Sequence, residues 1–109
     1  MAIEITTYQI PAAGQDPKVY IDALLNLKDL ASDFSRSLGR ISWIQGHILL
    51  HARGQCKKLG VKWKDFLTSV GMKKELAYLL RRVATDIVPE KKDLEFHEML
   101  EIVFPNSYG

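Results

Sequence analysis

The chain has little of several things, and each shortage excludes a class of protein. Its 109 residues contain one cysteine, Cys56. An internal disulfide is therefore impossible, and a reducing compartment, the cytoplasm, is expected. Apolar runs are only a few residues long, as in Ile48-Leu49-Leu50, so no segment reads as a membrane span. The N-terminus has no basic stretch leading into an apolar one, so no secretory leader is expected. Glycine and proline are not enriched, which argues against a disordered chain. There is no glycine loop to cradle a phosphate, no paired carboxylates and no Ser-His-Asp order. With no nucleophile and base in view, an enzyme is not expected, and neither is a cofactor.

Acidic residues are scarce in the middle of the chain. Residues 36–82 carry Arg36, Arg40, Arg53, Lys57, Lys58, Lys62, Lys64, Lys73, Lys74, Arg81 and Arg82 against only Asp65 and Glu75, a local charge of +9. Residues 1–35 sum to −3 and residues 83–109 to −4, so the net +2 conceals a strong internal split. A basic centre between acidic ends suits a polyanionic partner better than a small substrate.

With 47% hydrophobic residues, the length fits one domain with one core. The pattern predicts an all-α fold of four to five helices with a short extended N-terminal arm. Residues 1–16 read as arm and linker: Ile3, Ile5, Tyr8 and Ile10 alternate like a strand, and Pro11 to Pro17 is turn-rich. Residues 17–104 read as the helical domain and 105–109 as a frayed tail. Asp16-Pro17 marks a helix start. Val19/Tyr20, Ala23/Leu24, Leu27, Leu30/Ala31 and Phe34 then recur at helical spacing, with Asp22, Lys28, Asp29 and Asp33 opposite.

A second helix runs from about Ser37 to Leu59, with Leu38, Ile41, Ile44/Gln45, Ile48, Ala52 and Cys56 as its buried stripe. A second line holds Trp43, Gly46/His47, Leu50 and Gly54. Glycine inside a helix costs roughly 1 kcal/mol relative to alanine. Gly39, Gly46 and Gly54 therefore call for close approach of another helix, either within the chain or across a homodimer. Gly60 reads as the terminator. Pro89 to Val103 reads as one acidic helix with Leu94, Met99/Leu100 and Val103 inside.

Residues 62–88 read as helix-turn-helix-like. A short helix from Trp63 to about Val70 buries Phe66, Leu67 and Val70, and Gly71 makes the turn. A helix from Lys73 to Val88 buries Met72, Leu76/Ala77, Leu80, Val83/Ala84 and Ile87. Outside remain Lys74, Tyr78, Arg81 and Thr85 on one stripe, with Lys73 and Arg82 at its margin. That mixture suits groove entry, because arginine can bond guanine bidentately while lysines and hydroxyls hold phosphate. Lys57, Lys58, Lys62 and Lys64 lie where backbone contacts are made. The candidate DNA-binding set is therefore Lys57, Lys58, Lys62, Lys64, Lys73, Lys74, Tyr78, Arg81, Arg82 and Thr85.

The run Gly46-His47-Ile48-Leu49-Leu50-His51-Ala52, Leu59-Gly60, Trp63-Lys64-Asp65-Phe66-Leu67, Gly71 and Glu75-Leu76-Ala77 through Arg82 resembles a family of small, largely uncharacterised helical proteins of bacterial phages and plasmids. The resemblance covers about 45 of the 109 residues. It implies a helix-turn-helix-like domain on a mobile element, with a regulatory or replication-linked role and no catalysis. The family carries a hydroxyl residue and arginine where this chain has Lys73-Lys74-Glu75-Leu76.

Other constellations read more simply. His47 and His51 share a helix face at a metal-binding spacing, but Cys56 lies about 140° further round at ~100° per residue, so no metal site is expected. Cys56 sits on the buried stripe as a small hydrophobe. Trp63, flanked by lysines, is the better of two tryptophans for stacking on a base, although core anchoring is the simpler reading of both. His97 is expected on the surface. The sequence thus points to double-stranded DNA bound by a homodimer that acts by occupancy, in the cytoplasm or at the nucleoid and away from membranes. The alternative is an adaptor or inhibitor that meets a protein partner through the basic face and helix 36–59.

Overall fold

The computed structural model describes residues 10–33, 39–91 and 94–108, with side chains at 10–27, 41–91 and 94–106. Among these residues the fold is all-helical: α1 Pro17–Asp33, α2 Gly39–Leu59, α3 Trp63–Val70, α4 Lys74–Asp86, a 3-10 turn Pro89–Lys91, α5 Phe96–Val103 and the single turn α6 Pro105–Tyr108. The expected strand-like arm (Ile3, Ile5, Tyr8) lies outside the described residues; Ile10 packs against the core. No helix among the described residues is long and apolar enough to cross a membrane.

The predicted start of α1 is met in detail. Asp16 Oδ1 accepts the Lys18 N–H at 2.9 Å, and its carbonyl accepts the Val19 N–H at 2.9 Å. Tyr20 is fully buried; its hydroxyl donates to the Ala12 carbonyl at 2.6 Å and accepts the Gln15 N–H at 3.1 Å, which ties the preceding linker onto α1. Of the pair Val19/Tyr20 only the tyrosine is inside.

The central helix is α2, covered by α1 on one side and α4 on the other. Ile41, Ile44, Ile48, Ala52 and Cys56 are buried as the stripe predicts, and Leu49 joins them. At Gly46 α4 comes close to α2: a Cβ there would collide with the Leu80 carbonyl and lie 2.7 Å from Ala84 Cβ. At Gly46 the close approach is thus supplied from within the chain, so that position supplies no argument for a homodimer. Gly54 departs from expectation, since nothing lies within 4 Å of the position its Cβ would take.

Two glycine terminators set the turns around α3. Gly60 has φ 72° and the Val61 N–H reaches the Cys56 carbonyl at 2.8 Å; Gly71 has φ 74° and the Met72 N–H reaches the Leu67 carbonyl at 3.0 Å. Both are the six-to-one bond of a helix stopped by a left-handed residue. α4 begins at Lys74 and ends at Asp86, inside the bounds expected for it. Ala77, Leu80, Val83 and Ala84 face inward, but Leu76, expected in the core, is 41% exposed because Ala77 takes the position against α2. The Trp43 indole N–H donates to the Ile87 carbonyl at 2.9 Å and so satisfies an acceptor left at the end of α4.

The acidic C-terminal helix is not continuous. After the 3-10 turn, Glu95 is extended (φ −69°, ψ 154°) and its N–H is accepted by Glu98 Oε1 at 3.2 Å, so a new helix starts at Phe96. This break turns Leu94 and Phe96 onto a small second cluster of Val83, Ile87, Met99 and Leu100. The tail forms α6 with Pro105 at its first position.

Candidate nucleic-acid interface

Three helices meet at the basic face. α2 delivers Arg53 on its exposed side, α3 delivers Trp63 and Lys64, and α4 delivers Lys74, Tyr78, Arg81 and Arg82. The packing of α2 on α4 at Gly46 sets the spacing between the arginines of these two helices.

The organising ring is Trp63. It is half-buried and stacks on the buried Phe66 with centroids 5.1 Å apart and planes 6° from parallel. The guanidinium carbons of Arg53 and Arg81 stand 5.7 and 5.8 Å from its centroid. Arg81 is also 5.9 Å from the Tyr78 ring, so it is held between two aromatic side chains. Burial, and then the like charge of Arg53, hold Arg81 below the ordinary arginine value, although an arginine stays protonated regardless. Arg81 Nε and Trp63 Nε1 are both buried with no hydrogen-bond partner among the described residues.

Two shallow grooves flank this assembly and share Lys74. One, of about 530 Å³, is lined by Arg53, Lys74, Glu75, Tyr78, Leu79 and Arg81; the other, of about 390 Å³, by Trp63, Lys64, Leu67, Thr68, Met72 and Lys74. The first holds three cations against one carboxylate. α4 starts from Lys73 with no side-chain acceptor at its cap, which leaves first-turn N–H groups facing solvent beside Lys74.

The structure therefore gathers Lys64, Lys74, Tyr78 and Arg81 from the predicted set. Lys57, Lys58, Lys62 and Lys73 are exposed on neighbouring surface but line neither groove. Arg82 is committed within the chain. Its Nε and Nη2 reach Asp86 Oδ2 at 3.1 and 2.9 Å, Nη1 reaches the Tyr78 hydroxyl at 3.0 Å, and the group stands 5.0 Å from the Phe104 ring. The Asp86 and Tyr78 bonds hold its titration above the ordinary arginine value. Thr85 donates its hydroxyl to the Arg81 carbonyl at 2.8 Å, so its proton is already used inside α4. Arg53 was missed as a site residue, because only the antiparallel pairing of α2 and α4 brings it beside Arg81.

Elsewhere, Trp43 and His47 make an edge contact at 4.1 Å between centroids. Burial and then His51 lower the His47 titration. No group of three metal-ligating side chains occurs among the described residues. Burial pushes the Cys56 thiol up, away from the thiolate that a nucleophile needs. His97 is exposed, 3.3 Å from Glu95. No family model, no curated protein and no solved structure matches this chain.

Proposed function

We propose that this protein binds double-stranded DNA through α3, the Gly71 turn and α4, joined by Arg53 of α2, and acts by occupying its site. The resemblance of residues ~38–84 to phage and plasmid proteins supplies the regulatory part of this reading. The observation that carries the binding part is the face itself. Arg53, Lys64, Lys74 and Arg81 converge around Trp63 and Tyr78 from three packed helices, with Glu75 as the one carboxylate lining the grooves. Solvated charge does not need such an assembly, whereas a duplex needs cations at fixed spacing.

The test is gel retardation of random-sequence duplex across a salt series. Four phosphate contacts give a slope of log affinity against log salt of about −3.6, a loss of roughly 150-fold between 50 and 200 mM. Absence of retardation even at 20 mM salt, where non-specific binding is strongest, would sink this reading.

A second reading has its own observation. A groove of about 390 Å³ between α1, α2 and the Gly71 turn is lined by Leu24, Val70, Met72, Leu76, Leu80 and Phe96, with Lys73 at its rim. An adaptor or inhibitor would use such an apolar slot beside a basic face to hold an acidic, hydrophobic peptide segment.

A further inference from the structure

Arg53 and Arg81 are two cations held against one indole, with no carboxylate among the described residues bridging them. Among the described residues neither makes an ion pair, while Arg82, on the same helix as Arg81, is fully engaged with Asp86. The buried Arg81 Nε has no acceptor, and the like charge of Arg53 disfavours this state. Guanidinium groups brought together without an internal carboxylate offer planar, bidentate donors suited to an external anion. The groove they share also offers Lys74, whose compact charge complements the two planar forks, and Tyr78. The Tyr78 hydroxyl accepts a bond from Arg82 Nη1, which leaves its own proton to donate.

We infer that Arg53 and Arg81, laid on Trp63 and flanked by Lys74 and Tyr78, form a seat for one phosphate group, and that in the DNA-bound protein this phosphate belongs to the backbone. The inference deepens the DNA reading and rests on it for the source of the phosphate. Phosphate fits better than a carboxylate because it presents oxygens in a tetrahedron, so two forks arriving from different helices can each receive a pair or share an edge. The seat also fixes orientation. It lies where α2 meets α4, so the duplex backbone crosses the junction of three helices, and α4 alone does not define the contact.

The experiment has two arms on the full chain. In the first, inorganic phosphate is titrated against the ¹⁵N-labelled protein at constant ionic strength, with chloride as reference, while the Trp63 indole and the Arg53 and Arg81 Nε–H resonances are followed. Saturable shifts confined to these groups are expected. Arg53→Ala and Arg81→Lys should abolish saturation, and Lys91→Ala, an exposed cation on the 3-10 turn, should not. The second arm measures duplex affinity for the same variants. Loss of one phosphate contact lowers affinity roughly eightfold at 0.1 M salt and flattens the salt slope by about 0.9 for Arg53→Ala. Arg81→Lys keeps the charge and should lose affinity at little change of slope. If the wild type binds duplex but phosphate shifts match those of chloride, the seat is wrong and the DNA reading stands. If phosphate binds saturably and no duplex is retarded, the seat stands and the DNA reading falls. If both bind and the variants keep full duplex affinity, the seat takes free phosphate and its assignment to the backbone is overturned. Arg53 is exposed, so loss of fold does not confound its variant; unchanged helical circular dichroism checks Arg81→Lys.

Discussion

Gly46→Ala adds one methyl group where α4 packs directly against the backbone of α2. Its Cβ would run into the Leu80 carbonyl and press to 2.7 Å from Ala84 Cβ. The main obstacle is backbone, so no rotamer change relieves it and α4 must move away from α2. Overpacking of this kind costs about 1–3 kcal/mol, with main-chain obstacles at the upper end. Alanine returns about 1 kcal/mol through helix propensity, leaving roughly 2 kcal/mol of net destabilisation. For a domain of this size each kcal/mol moves Tm by about 4–8 °C, so a drop of roughly 8–16 °C is expected by calorimetry or circular dichroism. Gly54→Ala is the internal control. It occupies the same helix with nothing near its Cβ, so the propensity term acts alone and Tm should rise by a few degrees, for about 0.5–1 kcal/mol. Should Gly46→Ala melt within 2 °C of the parent, or above it, the close crossing of α2 and α4 is refuted.

Three further outcomes are expected. Tyr20→Phe keeps the buried ring but leaves the Ala12 carbonyl and Gln15 N–H without the hydroxyl, and should cost about 1 kcal/mol in denaturant unfolding. Trp43→Phe removes the bond to the Ile87 carbonyl and should cost a similar ~1 kcal/mol, read as a lower urea midpoint at unchanged slope. His47 titrates below its ordinary 6.5 in the folded protein, so the unfolded chain binds the proton more readily. Its contribution is complete above about pH 6.5 and is lost as pH falls towards the folded value. Tm should decline between pH 7 and pH 5.5, and His47→Gln should flatten that decline; an equal slope in the variant would assign it elsewhere.

Much of the fold is legible because its punctuation is local. Asp16-Pro17, Gly60 and Gly71 each act within one turn of chain, and each ends or starts an element where expected, whereas Pro89 opens only a 3-10 turn after α4 has ended at Asp86. Features that depend on a crossing were only half legible. Gly46 and Gly54 share a helix line, yet α4 touches the first and not the second. Eight residues turn α2 about 80° beyond two full turns at 3.6 residues per turn, which carries Gly54 off the face that meets α4. Sequence spacing also could not choose between Leu76 and Ala77. Both lie near the inward face, and the close approach at Gly46 favours the smaller residue inside. The broken C-terminal helix had a signal that the apolar count overrode. Glu95 and Glu98 stand at cap and third position, and Leu94 with Phe96 bracket the restart.

The same crossing links fold to site. Arg53 lies seven residues beyond Gly46, about two turns along α2, while Arg81 follows Leu80, whose carbonyl Gly46 abuts. The missing Cβ at residue 46 thus sets how near two like-charged guanidinium groups are brought over Trp63. A wider crossing would relieve their repulsion, at the expense of the packing of α4 on α2. The fold instead keeps them close, and Arg82 shows that a carboxylate was within reach of α4: Asp86 is spent on Arg82, one residue on, and none among the described residues serves Arg81. A glycine that permits repulsion, beside an acid placed on the wrong arginine to cancel it, is the pattern of a surface whose counter-charge comes from outside the chain.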